Sequence, residues 1–166
     1  MGYAKHQVVV TGIGIICANG KNVKEFWENT SKGIKGFKEI QTVDMSGIDA
    51  AHGGEIADYE PENYFTKKEL RHMDKAGQFA VIAAKEAIEN SKLNLDEMDP
   101  YRIGTLVGTS LGGMVSGEKF HKQWIEDGLR EADSSLLYKY PIHVSADNVA
   151  STFCLKGPKS VTSNAC

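Results

Sequence analysis

The feature that most constrains this chain is an alternation of strand-like and helical segments. Val8-Val9-Val10 is a β-branched run that passes into Gly12 and Gly14, and Ile103 to Val107 is largely apolar and ends at Gly108. Lys159-Ser160-Val161-Thr162-Ser163 has strand character and delivers Asn164, Ala165 and Cys166. Helical periodicity fills the intervals. Strands separated by helices of this length form right-handed crossovers, which build a mostly parallel sheet with helices on its faces. The expectation is an α/β fold in which residues 7–11, 103–108 and 159–163 are strands of one sheet, with a helix over 74–90 packed against it. Ligands in such sheets bind beyond the carboxyl ends of the strands. Two of these ends are glycine-rich and the third leads to a cysteine.

The helices announce themselves by caps and apolar spacing. Asn22 with Glu25 three residues later is an N-cap signal, Val23, Phe26, Trp27 and Thr30 follow at helical spacing, and Gly33 stops the run. Thr66 with Glu69 makes a second capping box, and from Asp74 onward Gly77, Ala80, Val81, Ala84 and Ile88 form one stripe of small and apolar residues. Residues 34–65 lack sustained periodicity and contain Gly36, Gly47, Gly53, Gly54 and Pro61, so a long excursion with short elements is expected there. Segments of that kind are commonly functional or form interfaces. Gly108 to Gly113 opens a helical stretch through Trp124, residues 128–141 read as a connection, and 143–153 as a short helix ending before Gly157-Pro158.

Composition excludes several classes. The 166 residues suit one ordinary domain, 41% hydrophobic and 25% charged, with no apolar run long enough to span a membrane and no leader-like N-terminus. A cytoplasmic location is the default expectation. Net charge is −3 with both signs scattered, so no nucleic-acid-tracking surface is expected. Cys17, Cys154 and Cys166 are odd in number and far apart, which favours free thiols over disulfides or a zinc knuckle. The five histidines show no metal-ligand spacing, so no metal site is expected.

Gly12-x-Gly14-x-x-Cys17 imitates a dinucleotide fingerprint but lacks its third glycine and a correctly placed acidic residue. Gly108-Thr109-Ser110-Leu111-Gly112-Gly113 lacks the Gly-Lys-Ser/Thr ending of a phosphate-binding loop, and a tight strand-to-helix turn accounts for it. No cofactor is therefore expected. A cysteine after a strand is, taken alone, more often a buried small hydrophobe than a nucleophile.

Taken together the segments say more. Val8-Val9-Val10-Thr11-Gly12-Ile13-Gly14, Arg71-His72-Met73-Asp74, Arg102-Ile103-Gly104 through Gly108-Thr109-Ser110-Leu111-Gly112-Gly113, Leu155-Lys156-Gly157-Pro158 and Ser163-Asn164-Ala165-Cys166 occur in that order. This succession resembles the elongating β-ketoacyl-acyl carrier protein synthases of fatty-acid and polyketide synthesis, over essentially the whole chain. The resemblance implies a thiolase-like fold, with residues 1–166 as its N-terminal half, and Cys166 as the acyl-accepting nucleophile at the elbow between a strand and a buried helix. Leu111 falls where the family lines its acyl pocket, although a plain packing role serves that residue too. The implied partner is acyl carrier protein, as acyl and malonyl thioesters, and the implied assembly is a homodimer in which residues 159–163 pair with their twin across a two-fold axis.

Two departures bear on these expectations. Residues 134–153 match the family poorly, in the region that shapes its acyl tunnel. The family's two active-site histidines and its lysine belong to a further stretch of similar size, and none of His6, His52, His72, His121 and His143 matches their motifs. The 166 residues alone are thus expected not to catalyse condensation, and a carboxylate on Cys166 itself, were it the terminus, would disfavour the thiolate. Two other classes remain open at this level: a non-catalytic partner subunit that sets chain length, which Cys166 argues against, and a truncated interaction module.

Overall fold

A computed structural model describes residues 7–49, 51–56 and 58–164. These residues divide into two compact units, 7–49 and 51–55 with 83–93, and 56 and 58–82 with 94–164.

In the first unit, α1 (Val23–Ser31) begins where its sequence says it should. Asn22 accepts from Glu25 N, and Gly33 at φ +69° ends the run in a left-handed turn. Among the described residues, the excursion after it forms a two-residue antiparallel pair, β1 (Lys38–Glu39) with β2 (His52–Gly53), and further on a 3₁₀ turn over Pro61–Asn63. The Glu55 carboxylate secures its exit by accepting from the backbone N–H groups of Gln41 and Thr42 and from the Thr42 hydroxyl.

Residues 7–11 do not form the expected strand. Val8 is 96% exposed, and Val9 and Val10 are also exposed. A β-branched run favours extended backbone, but a strand exists only where a neighbour pairs with it, and no described strand does so here. The following glycines have a different use. A Cβ on Gly12 would lie 2.0 Å from the carbonyl oxygen of Ala87, and one on Gly14 1.9 Å from that of Ala83, so both permit the backbone to run against a helix. Asn90 and Glu86 on that helix accept from Ile13 N at 3.1 Å and Ile15 N at 2.8 Å, and Glu86 also accepts from Val23 N at 2.8 Å.

That helix is α3 (Lys75–Ser91). Before it, in the second unit, the Thr66–Glu69 capping box is present in full but supports a single turn, α2 (Lys67–Leu70). The stripe predicted from Asp74 is real: Gly77 and Val81 are buried and Ala80 partly so. Tyr59 lies edge-on to Phe79 at 5.0 Å and donates to Gln78 Oε1 at 2.7 Å. Burial first, then the neighbouring Tyr64 and Glu62, push the Tyr59 hydroxyl up to about 12.

The second unit is organised by a parallel pair, β3 (Thr105–Gly108) and β4 (Lys159–Thr162), in the register Thr105 to Lys159 and Gly108 to Thr162. Between them come α4 (Met114–Asp127), a 3₁₀ turn over Ser134–Tyr138 and α5 (Val144–Thr152). The helix that lies on this pair is α5 rather than the expected 74–90 helix. Its small inward residues explain the choice, since Ser145, Ala146, Asn148, Val149 and Ala150 are all buried and let the helix approach the strands closely. Against α5, Gly77 of α3 meets Asn148 so tightly that a Cβ would come within 2.2 Å of Nδ2. The opposite face of the pair is open, with Leu106 72% exposed. No described helix is long and apolar enough to cross a membrane.

Candidate functional site

The site is built on the carboxyl ends of β3 and β4. Because the strands are parallel and Gly108 stands opposite Thr162, the two chains leave the sheet at the same level. Thr109 N adds one more rung by donating to Thr162 O at 3.0 Å. From β3 issues the loop 109–113, and from β4 issues Ser163-Asn164. Cys166, the residue expected as nucleophile, lies outside the described residues, as does His6.

The 109–113 loop is a tight strand-to-helix turn. Thr109 Oγ1 accepts from Gly112 N at 3.0 Å, Gly112 takes φ +49°, and Leu111 O accepts from Met114 N at 3.1 Å. This geometry lifts Leu111 away from the protein, leaving it 62% exposed on the turn. Its neighbours are glycines for a steric reason. A Cβ on Gly113 would lie 1.9 Å from Lys139 O, one on Gly112 2.8 Å from Ile142 Cα, and one on Gly117 2.4 Å from the Tyr140 ring. Residues 139–142 thus seat directly on the start of α4. On another side Ser116 donates to the Asp74 carboxylate, and both residues are buried.

The contact between Asp74 and Ser116 was not legible in the sequence. Arg71-His72-Met73-Asp74 stands out as a motif, yet Arg71 and His72 are exposed while Met73 and Asp74 are buried. The buried half carries the structural role. His52, His72, His121 and His143 are all exposed, and His143 only approaches Asp147, at 3.9 Å. Among the described residues no three His, Cys, Asp or Glu side chains come together as a metal site would require. A shallow concavity on α4 is lined by Glu118, His121, Lys122 and Ile125, residues of that one helix, and does not include the 109–113 loop.

Residues 5–166 match the family profile described as Beta-ketoacyl synthase, N-terminal domain. The chain belongs to the β-ketoacyl synthase family. It is 33% identical over 160 residues to 3-oxoacyl-[acyl-carrier-protein] synthase 2 of Staphylococcus aureus (strain COL), covering 96% of this chain and 39% of that protein. The synthase of the same description from Synechocystis sp. is 30% identical over 162 residues, covering 98% of this chain and 39% of the relative. Among solved structures, the ishigamide ketosynthase/chain length factor superposes with a TM-score of 0.85 at 25% identity, over 95% of this chain and 40% of that one. A β-ketoacyl synthase from Burkholderia phymatum gives a TM-score of 0.77 at 21% identity, over 95% of this chain and 39% of that one, a likeness of fold. The chain therefore has the α/β, thiolase-like architecture of ketosynthases and spans about two fifths of the length of the curated relatives it matches.

Proposed function

We propose that this chain supplies the acyl-accepting part of a 3-oxoacyl-[acyl-carrier-protein] synthase acting in fatty-acid or polyketide synthesis. The observation that carries the reading is the register of β3 and β4, which starts the Leu111 loop and the segment leading to Cys166 side by side at one end of a parallel pair. In this reading residues 1–166 are one structural half of the enzyme, Cys166 is the nucleophile and Leu111 lines the acyl pocket.

The chemistry runs in two stages. The Cys166 thiolate attacks the carbonyl of an acyl-carrier thioester, forming a new thioester and expelling the carrier thiol, so the acyl group stays activated. A helix N-terminus beyond the nucleophile favours the thiolate and offers amides to the developing oxyanion. Malonyl-carrier then loses CO₂, and the resulting carbanion attacks the cysteine-bound carbonyl. The new carbon-carbon bond replaces the carbon-sulfur bond, and the thiolate is returned. The likeness to a ketosynthase solved with its acyl carrier protein, at 20% identity, is one of fold, and the activity for which the relatives are named makes the carrier the natural partner here.

Residues 1–166 alone are expected not to complete the second stage, because none of His6, His52, His72, His121 and His143 matches the motifs of the family's two histidines, which with its lysine belong to a further stretch of the enzyme. The test supplies acyl-carrier and malonyl-carrier thioesters to this chain alone, to the chain with the C-terminal remainder of the Staphylococcus aureus relative, and to that mixture with Cys166→Ala. Product is expected only from the unmutated mixture. Condensation by the isolated chain, or by the Cys166→Ala mixture, would overturn the assignment. A non-catalytic, chain-length-setting subunit would give none in any arm.

A further inference from the structure

Asp74 stands one residue ahead of α3 and is only 8% exposed. A buried carboxylate is costly unless donors meet its lone pairs. Here two donors from different elements do so. Oδ1 accepts from Ala76 N at 3.3 Å, which caps the start of α3, and Oδ2 accepts from the Ser116 hydroxyl in the first turn of α4. Ser116 is itself buried, and its own N–H donates to Gly113 O at 2.9 Å, back into the turn that presents Leu111. The opposite flank of that turn carries Lys139–Ile142, seated on Gly112, Gly113 and Gly117. The start of α4 is thereby held by two separate segments, and Leu111 stands exposed on the turn that leads into it.

We propose that Asp74 is a positioning residue for acyl selection: through Ser116 it fixes the 109–113 turn and so sets where Leu111 meets the acyl chain. This rests on the reading of Leu111 as an acyl-pocket residue. An apolar contact at Ser116 would fill the same space without fixing direction, whereas a charge-assisted hydrogen bond constrains both distance and angle. Removing the hydroxyl leaves the turn its backbone bonds from Gly112 N, Met114 N, Ser116 N and Gly117 N but takes away its tie to Asp74.

The test uses Ser116→Ala, with Ser116→Thr as the conservative variant that retains the hydroxyl, because Asp74→Ala is liable to unfold the chain. In hydrogen exchange, Ser116→Ala is expected to speed the amides of Gly112 and Met114 about tenfold, leave those of β3 and β4 unchanged, and be reversed in Ser116→Thr. No change at those amides, or a uniform acceleration through the unit, overturns the proposal. In the complemented synthase, Ser116→Ala is expected to shift KM across a series of acyl lengths while kcat stays within about twofold. Leu111→Ala is the control. If Leu111→Ala moves the series and Ser116→Ala does not, the brace has no positioning role, although Leu111 keeps its own. If neither moves it, the assignment of Leu111 falls and the proposal with it.

Discussion

Glu86 shows how much one side chain can organise in this chain. Its two carboxylate oxygens accept from Ile15 N and Val23 N, so a single residue on α3 ties the segment after Gly14 to the start of α1. Glu86 is not among the stripe residues Gly77, Ala80, Val81, Ala84 and Ile88. The structure makes it an acceptor for backbone groups that no helix or strand satisfies. Glu86→Ala is expected to lower stability by about 1–3 kcal/mol, seen as a fall in the urea midpoint with an unchanged slope. A substitution within about 0.5 kcal/mol of the parent would show that water replaces the carboxylate without loss.

At the scale of elements, caps were legible and partners were not. Thr66 and Glu69 are three residues apart and announce a helix start, and both capping hydrogen bonds are present. Donation from the Thr66 side chain and backbone holds the Glu69 carboxyl below its ordinary value, with burial opposing only weakly. A folded pKa below the unfolded one contributes stability that is present above the unfolded value and lost as pH falls through the folded one. Carboxyl NMR should accordingly show Glu69 titrating below an ordinary glutamate, and Thr66→Ala should move its midpoint upward. An unmoved midpoint would mean that the box does not persist in solution. What the box could not announce is that α2 lasts one turn, ending at Leu70 ahead of the buried Met73 and Asp74.

For the whole molecule, the free edge of β4 bears on assembly. Thr105 N and Thr109 N donate to the carbonyls of Pro158 and Thr162, so alternate residues of β4 face β3 and the backbone groups of Lys159, Val161 and Ser163 point to the other edge. No described strand pairs with that edge, and an unpaired edge is a template for another strand. A homodimer through β4, as the family resemblance implies, would use it. Sedimentation of the chain should then show a dimer that dissociates in Val161→Pro, a change that removes an outward N–H while leaving the β3 ladder its bonds. A parent chain that is monomeric at high concentration would refute pairing through this edge for residues 1–166.

The sequence alone determined the features that depend on neighbours along the chain. The caps at Asn22 and Thr66, the turn at Gly33, the α3 stripe, the strands near 103–108 and 159–163 and the ordered family motifs all follow from local chemistry read in series. It also named Leu111 and Cys166 as candidates, by resemblance. Only the tertiary structure decided what each element meets. Val8 to Val10 carry strong strand character yet pair with no described strand, because pairing requires a second backbone that local preference does not provide. Likewise α5 covers the parallel pair because its small residues permit close approach, and Asp74 braces Ser116 across 42 positions of sequence. Contacts of that kind arise from the folding of distant segments onto one another, so no spacing rule within one segment encodes them.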